Sequence, residues 1–309
     1  MQARDVSAPD ARSAWRPDCS CAAGAAAALR ELGLLLPELE PYQDEPPQMA
    51  SGAVGKMGYL RLQFDRDPAT GRTVLSDMDR RVPLLAQKAL YWDESQPDMA
   101  CVTTITTTGC VIQGDRLALD VRVGPEARAL VATQSATKVH CMEHNYASQL
   151  QTFTVEEDGY FEYMPDPLIL HRTARYLMDT RIVLPESATL LYGEVLMPGR
   201  KYHHRDELFG FHLFSSNITA AREPYGDPLF VERFVLEPGR MDFGKAGVMG
   251  PFEVFGNVIA LTPARHFDAL RDGIGADATP DLAWGATVLP HDAGLLFKVL
   301  GPTTEAVRA

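Results

Sequence analysis

A mainly β fold, built as a large stacked-sheet or sandwich-like architecture with about two helices, is predicted by three features of the sequence. Several segments from residue 59 onward alternate apolar and polar residues with the period of two that a half-buried strand shows. Turn signals rich in Gly, Pro and Asp recur between these segments at short, fairly even spacing. Helical periodicity is confined to residues 22–36 and 264–274. Since strand and helix patterns do not alternate, the sequence favours an all-β arrangement over an α/β one.

The first 50 residues differ in composition from the rest of the chain. Residues 1–18 have no periodicity and are predicted to be a disordered tail. Residues 22–36 are rich in Ala, with leucines three and four positions apart, which predicts a short helix. Residues 37–47 are acidic and rich in proline, which predicts an extended linker. Residues 51–309 are predicted to form a single β-rich domain.

The predicted strands begin at residues 59–65, where Leu60, Leu62 and Phe64 alternate with polar residues before a turn and a return strand at 72–76. Two further pairs of strands are separated by short turns and are predicted to be hairpins. These pairs are 117–123 with 129–133, and 152–156 with 160–164. Single strands are predicted at 189–197, 208–214, 229–236, 254–261, 284–288 and 295–300.

Charge and cysteine content exclude several classes of protein. The net charge of −12 repels phosphate backbones and argues against a nucleic-acid partner. No run approaches the ~18 apolar residues that a membrane-spanning helix requires. The five cysteines are an odd and sparse set for a chain of this length, which is not typical of a disulfide-bonded secreted protein. We therefore expect a cytoplasmic protein with no membrane partner.

No catalytic motif is present in the sequence. The nucleophile elbow, the phosphate-binding P-loop, the dinucleotide-binding glycine motif and the zinc-protease helix motif are all missing. Although nucleophile and base need not be close in sequence, nothing nominates such a pair. We therefore predict that the protein is not an enzyme.

A metal site is suggested by the segment 140–144, because His140 and His144 would share one face if the segment were helical. If the segment is instead a strand end followed by a turn, the two imidazoles do not converge. The neighbouring pair His203 and His204 is a weaker candidate, because neighbours on a strand point to opposite faces. Cys19 and Cys21 form a further pair without an evident third ligand.

Six segments, taken in order, resemble the signatures of the urease accessory protein family UreD, also called UreH. The strongest is the glycine-bounded bend followed by Asp115, which resembles the family signature GGxVxGDxL. The six segments are Pro83-Leu84-x-x-Gln87-Lys88-x-Leu90-Tyr91, Gly109-x-Val111-Ile112-x-Gly114-Asp115-Arg116-Leu117, 132–139, 161–166, Glu194 with Gly199-Arg200, and Pro228-Leu229-x-Val231-Glu232-Arg233. Any one of these motifs is weak evidence, but the ordered set is specific and covers roughly residues 52–300.

The resemblance implies a scaffold and not a catalyst. Members of this family form a complex with the helical protein UreF and the GTPase UreG, and this complex docks on apo-urease. Ni(II) is thought to pass transiently through a polar tunnel in the UreD-type subunit, which holds no permanent cofactor. The family fold is almost wholly β with two helices, in agreement with the periodicity described above.

A conduit for Ni(II) requires ligands that hold the ion weakly, since an apolar wall cannot accept an unpaired charge and a His/Cys cage would trap it. Carried over by position, the conduit candidates are Asp115, Thr137, Glu194 and Glu232. Each has an ordinary alternative: Asp115 can accept hydrogen bonds in a turn, and the two glutamates can form structural ion pairs.

Two departures from the family pattern keep other functions open. Cys110 stands where the family has a second glycine, and His140 replaces the usual aromatic residue. One alternative is therefore a divergent metal-dependent β-fold enzyme that uses His140 and His144. The other is a scaffold on the same fold whose client is not urease.

Overall fold

A computed structural model describes residues 21–44, 57–224 and 226–309, and within them two large β-sheets dominate. The strands are β1 (Met57–Arg66), β2 (Thr73–Arg81), β3 (Leu84–Ala86), β4 (Ala100–Thr106), β5 (Arg116–Val123), β6 (Arg128–Thr133), β7 (Thr137–Val139), β8 (Ala147–Val155), β9 (Tyr160–Tyr163), β10 (Leu168–Leu170), β11 (Arg175–Val183), β12 (Thr189–Met197), β13 (Leu213–Ala221), β14 (Pro228–Leu236), β15 (Val254–Leu261), β16 (Asp277–Ala278), β17 (Ala283–Val288) and β18 (Gly294–Gly301). The predicted mainly β class with stacked sheets is confirmed.

Helices are few and peripheral in the described part of the chain. The α-helices are α1 (Ala22–Leu35), α2 (Phe267–Ile274) and α3 (Thr304–Arg308). Single 3-10 turns lie at Pro37–Tyr42, Arg205–Glu207, Ala264–His266 and Pro290–Asp292. The two helices predicted from periodicity correspond to α1 and to α2 with the 3-10 turn before it. No helix among the described residues is both long and apolar enough to cross a bilayer.

The chain winds back and forth between the two sheets. The first sheet has the strand order β14-β13-β11-β8-β5-β1-β2, and the second has the order β16-β17-β18-β15-β12-β9-β6-β4-β3. In the middle of each sheet neighbouring strands are parallel, as in β5 with β8 and β6 with β9. Parallel neighbouring strands cannot be joined by a tight turn. Here the chain passes through the opposite sheet between two such strands, as it does through β6 between β5 and β8.

The two predicted hairpins are wrong, because the two strands of each pair lie in different sheets. Strand β5 lies in the first sheet and β6 in the second, and the same is true of β8 and β9. The turn residues Glu126 and Asp158 each have a φ of 55°, so both turns reverse the chain sharply as predicted. The two turns also stack, with the Glu126 N–H donating to the Glu157 carbonyl over 3.0 Å. A turn signal predicts a change of direction but does not specify which sheet receives the next strand.

The main core fills the space between the two sheets. Inward-facing apolar side chains from both sheets form one continuous cluster, in which Leu60, Phe153, Phe161 and Ile259 are fully buried. Alternation along each strand sends the other residues outward. A polar residue at an inward position of a strand therefore has its side chain between the two sheets, and the site described below consists of such residues.

The outer face of the first sheet is covered by the N-terminal segment. Leu29 of α1 packs on this face together with Tyr59, Ala118 and Leu150. Residues 37–42 were predicted to belong to an extended linker, but they form a 3-10 turn whose Leu39 is fully buried. The apolar Leu39 within the acidic stretch is the reason that this part packs. The predicted tail at 1–18 and the rest of the linker at 45–47 lie outside the described residues.

The long strand β11 is among those that the sequence patterns missed, and one predicted strand was misplaced. All nine residues of β11 are buried, because the second sheet covers one face and the N-terminal segment covers the other. A strand buried on both faces shows no alternation. The strand predicted at 208–214 begins only at Leu213, since Phe209 has a φ of 50° and lies in a loop.

Candidate metal-transit site

A row of polar side chains crosses the inner face of the second sheet. Glu194 on β12 is in register with Asn257 on β15, and Asn257 is in register with Lys298 on β18. Each of these residues occupies an inward position in an otherwise apolar strand. Residues directly opposite on neighbouring strands have Cβ atoms about 5 Å apart, so the three side chains are immediate neighbours.

A second carboxylate reaches this row from the first sheet. Glu232 on β14 accepts a hydrogen bond from the Nδ2 of Asn257 over 2.9 Å, and the same nitrogen donates to Glu194 over 3.0 Å. Lys298 forms an ion pair with the other oxygen of Glu232. Asn257 itself is completely buried. One amide thus holds two carboxylates from different sheets together in the interior.

The electrostatic setting of Glu194 is unusual. Burial is the main cause that raises the pKa of its carboxyl to about 7, and the nearby Glu232 adds to the rise. Hydrogen bonds from Asn257 and from the Tyr192 hydroxyl, the latter over 3.3 Å, oppose the rise. The carboxyl therefore changes its charge near neutral pH and not near pH 4.5. A charged group that is only partly compensated inside a fold is a feature that functional sites share.

Glu194 borders a cavity between the sheets. About 40 Å³ of this cavity is open to the centres of water molecules, which is room for a few waters. The polar groups in its wall include Thr137, Gln149, Gln151, Tyr163, Tyr176 and Tyr192. Their hydrogen bonds fix them in place: Gln151 donates to the Tyr163 hydroxyl over 2.7 Å, and the Tyr176 hydroxyl donates to Gln149 over 2.7 Å.

A second, more polar pocket adjoins the first. It offers about 90 Å³ to water, and its wall consists of the segments 109–111 and 133–138 together with Thr104 and Thr106. Thr137 lines both this outer pocket and the inter-sheet cavity. A polar series therefore leads from the outer pocket past Thr137 to Glu194, and onward through Asn257 to Glu232.

Asp115 lies apart from this series. Its side chain is fully buried, and its Oδ2 accepts a hydrogen bond from the backbone N–H of Ile112 over 3.0 Å. It lines neither of the two cavities. A turn contact of the kind considered as the alternative for Asp115 is thus present, and its conduit role stays a prediction.

The histidine candidates do not converge on a metal. The segment 140–144 is an irregular turn and not a helix, and His140 and His144 are both exposed. Among the described residues, no group of three or more His, Cys, Asp or Glu side chains is arranged to hold a metal ion. The segment thus has the turn geometry of the alternative interpretation, in which the two imidazoles do not converge, and a metal site at His140 and His144 stays a prediction. Cys21 caps α1 instead, accepting from the Gly24 N–H, while Cys19 lies outside the described residues.

The weaker histidine pair also has a structural role. His204 caps the 3-10 turn at Arg205–Glu207, where its Nδ1 accepts from the Asp206 N–H over 3.2 Å. His203 lies exposed in the same loop. Neither imidazole faces the inter-sheet cavity.

One atom beside the two glutamates is left unsatisfied. The Oδ1 of Asn257 is buried and has no hydrogen-bond partner among the described residues. A buried carbonyl oxygen without a partner is costly and is ordinarily satisfied by water or a cation. Together with two carboxylates, an amide oxygen makes a set of hard oxygen ligands, which hold a divalent cation more weakly than a cage of thiolates and imidazoles does.

Comparison with known proteins decides the family. A family model described as UreD urease accessory protein matches residues 56–309. The chain belongs to the UreD family. It is 55% identical over 280 residues to the urease accessory protein UreD of Photorhabdus laumondii, which covers 90% of this chain and 86% of that protein. Its identity to the UreD of Yersinia enterocolitica is 54% over 284 residues, and to that of Yersinia pseudotuberculosis 55% over 280 residues, with the same two shares covered in both cases.

The segments that resemble UreD signatures gather around the two cavities. Residues 109–111 and 133–138 form the outer pocket, and both belong to signature-like segments. Tyr163, Pro165 and Glu194, which lie in two more such segments, line the inter-sheet cavity. A fifth segment carries Glu232. Four of the six segments that resemble UreD signatures thus contribute residues to the wall of one of the two cavities.

Two members of this UreD site were missed by sequence reasoning. Asn257 and Lys298 lie in strands that were predicted correctly, yet neither residue was proposed as part of a site. The sequence did contain a signal, because each residue is polar where the neighbouring inward positions of its strand are apolar. Asn257 lies between Phe255 and Ile259, and Lys298 follows Leu296. A polar residue at a core position of a strand calls for a partner.

Proposed function

We propose that this chain is a non-catalytic scaffold of urease maturation, which joins UreF and the GTPase UreG on apo-urease. In this proposal Ni(II) is cargo and passes through the inter-sheet cavity to the urease active site, and no permanent cofactor is needed. Membership of the UreD family supports the role in urease maturation. The passage of nickel, the partners and the cytoplasmic location go beyond that membership and are part of the proposal.

The observation that carries the nickel part is the polar series through an apolar sandwich. A carboxylate that burial leaves without full compensation destabilises a fold, and burial raises the pKa of Glu194 in this way. Two half-buried carboxyl groups held by one buried amide are therefore better explained by a function than by stability. Glu194 lines a cavity that shares the wall residue Thr137 with an outer pocket. The oxygen ligands are hard and few, which suits an ion that must leave again.

The proposal is tested by replacing the two glutamates in cells that express urease with its accessory proteins. We expect Glu194→Ala and Glu232→Ala to lower the nickel content of purified urease several-fold, because each removes one of the two carboxylates that Asn257 holds together beside the cavity. Nickel is measured by elemental analysis of urease, and complex assembly by pull-down with UreF. Glu186→Ala, at an exposed glutamate, is the matched control.

Two outcomes have different meanings. If both variants assemble with UreF and the urease contains its full complement of nickel, the conduit proposal is wrong. If the variants fail to assemble, Glu194→Gln and Glu232→Gln replace them, since these keep the side-chain volume and a hydrogen-bonding group while removing the charge. A fully metallated urease from both glutamine variants would again contradict nickel passage at this site.

A further inference from the structure

A lysine closes the outer end of the glutamate pair. The Lys298 ammonium pairs with the Oε1 of Glu232, while the Oε2 of Glu232 accepts from Asn257. The Lys298 side chain is 44% exposed and that of Glu232 is 14% exposed. The ammonium therefore lies at the boundary between the buried carboxylates and solvent, 5.6 Å from the centre of the Phe255 ring.

The glutamate pair needs a positive charge whether or not a metal is present. Because both acceptor oxygens lie within 3.0 Å of one nitrogen, they are at most about 6 Å apart. Two carboxylates this close repel one another in a poorly solvated site. Asn257 donates two hydrogen bonds but has no charge, so Lys298 is the one cationic side chain bonded to the pair among the described residues.

A lysine is well suited to be a counter-cation that a metal ion displaces. Its charge is compact and strongly hydrated, and its four-carbon stem is flexible, whereas an arginine at this position would hold a carboxylate with two parallel hydrogen bonds. Lys298 can rotate outward into water without crossing the core, because it is already half exposed. Its departure frees the Oε1 of Glu232 as a ligand.

We propose that Lys298 is a tethered counter-cation for the pair of Glu194 and Glu232. Its ammonium occupies the place at Glu232 that a passing divalent cation takes, and it swings into solvent when that cation arrives. The lysine thus keeps the site charge-balanced when it is empty and weakens the hold on the metal, so that the metal is released. This inference rests on the proposed function, since it names the competitor of Ni(II) at that site.

Amine labelling of the unmodified protein tests the displacement directly. The accessory complex is treated with an N-hydroxysuccinimide ester with and without NiCl2, and labelled lysines are quantified by mass spectrometry. We expect the labelling of Lys298 to rise at least about twofold with Ni(II), because the ammonium loses its carboxylate partner. Lys245, an exposed lysine, is the internal control and should not change. Unchanged labelling of Lys298 at saturating Ni(II) would contradict the displacement.

Substitutions give a graded second test. Ni(II) binding to the complex is measured by calorimetry for Lys298→Met, Lys298→Arg and the control Lys245→Met. We expect Lys298→Met to bind Ni(II) about two- to fivefold more tightly than the native complex, which corresponds to the free energy of one partly exposed ion pair, and Lys298→Arg to bind it more weakly. In the Glu232→Gln background the effect of Lys298→Met should vanish. Equal Ni(II) affinity of the native, Lys298→Met and Lys298→Arg complexes would contradict the counter-cation role.

Failure of this inference can be told apart from failure of the proposed function. If Glu194→Ala and Glu232→Ala deplete urease of nickel but Lys298→Met leaves Ni(II) affinity unchanged, the conduit stands and the lysine is only a structural partner. If urease is fully metallated in the glutamate variants, the conduit itself is wrong, whatever Lys298 does.

Discussion

Glu194 and Glu232 come from different sheets, yet they accept hydrogen bonds from the same amide nitrogen, that of Asn257. The contact holds the two sheets together at a point where both present a carboxyl group and not an apolar side chain. A buried carboxyl whose pKa is raised has less favourable surroundings than it has in water. The site therefore reduces the stability of the fold at neutral and alkaline pH, and this cost can be measured.

The first prediction is that Glu194→Gln stabilises the protein at pH 8. In the folded chain the carboxyl keeps its proton up to a pKa of about 7, against 4.5 without the burial. The folded state thus binds more protons than the unfolded state between these values, and stability falls as the pH rises through them. The glutamine side chain does not titrate and has no such loss. We expect a gain of about 1–3 kcal/mol in the free energy of unfolding at pH 8 and little change at pH 5.

Denaturant titrations at both pH values check this prediction, with the exposed Glu186→Gln as control. A variant that is less stable than the native chain at pH 8 would show that the carboxylate is well compensated. In cells the same Glu194→Gln variant should lower the nickel content of urease, so that stability and delivery change in opposite directions. This combination is expected of a functional site and not of a structural ion pair.

The second prediction concerns the attachment of the N-terminal segment. Glu38 accepts hydrogen bonds from Arg233 and from the Ser215 hydroxyl, over 2.8 and 2.7 Å, and its side chain is only 7% exposed. Glu38→Gln should cost about 1–3 kcal/mol, because it removes charged hydrogen bonds from a buried position. The exposed Glu40→Gln is the control. Equal unfolding midpoints for the two variants would mean that the ion pair contributes nothing.

Arg233 is also the neighbour of Glu232 in β14, and the two side chains point to opposite faces of this edge strand. The 3-10 turn at Pro37–Tyr42 therefore holds the strand that carries a site carboxylate. A loss of nickel delivery in Glu38→Gln, with complex assembly intact, would show that this attachment positions Glu232.

Much of the fold was predictable because periodicity is local. The bounds of β12 and β15 agree with the sequence patterns to the residue. The pairing of strands was not predictable, since the turns after β5 and β8 do not indicate that the chain crosses to the other sheet. Strand β11 gave no signal at all, because both of its faces are buried and its pattern does not alternate.

The site was predictable only in part, and for a similar reason. Glu194, Glu232 and Thr137 were proposed by position within motifs that resemble the family, and they lie along one polar series. Asp115 was proposed in the same way but lies outside this series, where its carboxylate accepts a hydrogen bond from the Ile112 N–H within a turn. Asn257 and Lys298 depend on cross-strand register, which a single sequence does not contain.

The third prediction separates backbone strain from steric overlap at three glycines. Gly199 has a φ of 118°, and a Cβ there would lie 2.0 Å from the Glu207 carbonyl oxygen. Gly109 has a φ of 70° with open space around it, and Gly239 has open space and no positive φ. We expect alanine to cost more than about 3 kcal/mol at Gly199, about 1 kcal/mol at Gly109 and less than about 0.5 kcal/mol at Gly239. Thermal unfolding measures the order, and equal costs at Gly199 and Gly109 would show that the loop at Glu207 yields easily.

His171 gives the protein a specific sensitivity to acid. Its imidazole is buried, and its ring centre lies 5.2 Å from that of His140. Burial is the main cause that lowers the pKa of His171 from 6.5 to about 4, with the charge of Arg200 as the next cause and Glu207 acting against them. The unfolded chain therefore binds a proton between pH 6.5 and 4 that the folded chain does not.

The fourth prediction follows from this difference in proton binding. Stability should fall as the pH drops from 6.5 to 4, by about 2–3 kcal/mol from this residue, because the unfolded state gains the proton first. His171→Leu should remove that part of the pH dependence, whereas the exposed His266→Asn should keep it. The measurement is the free energy of unfolding at about pH 7, 5.5 and 4 for the native chain and both variants. Carboxylates titrate over the same range in all three proteins, so the difference between the curves isolates the imidazole. Parallel curves for His171→Leu and the native chain would mean that His171 has the same pKa in the folded and the unfolded chain.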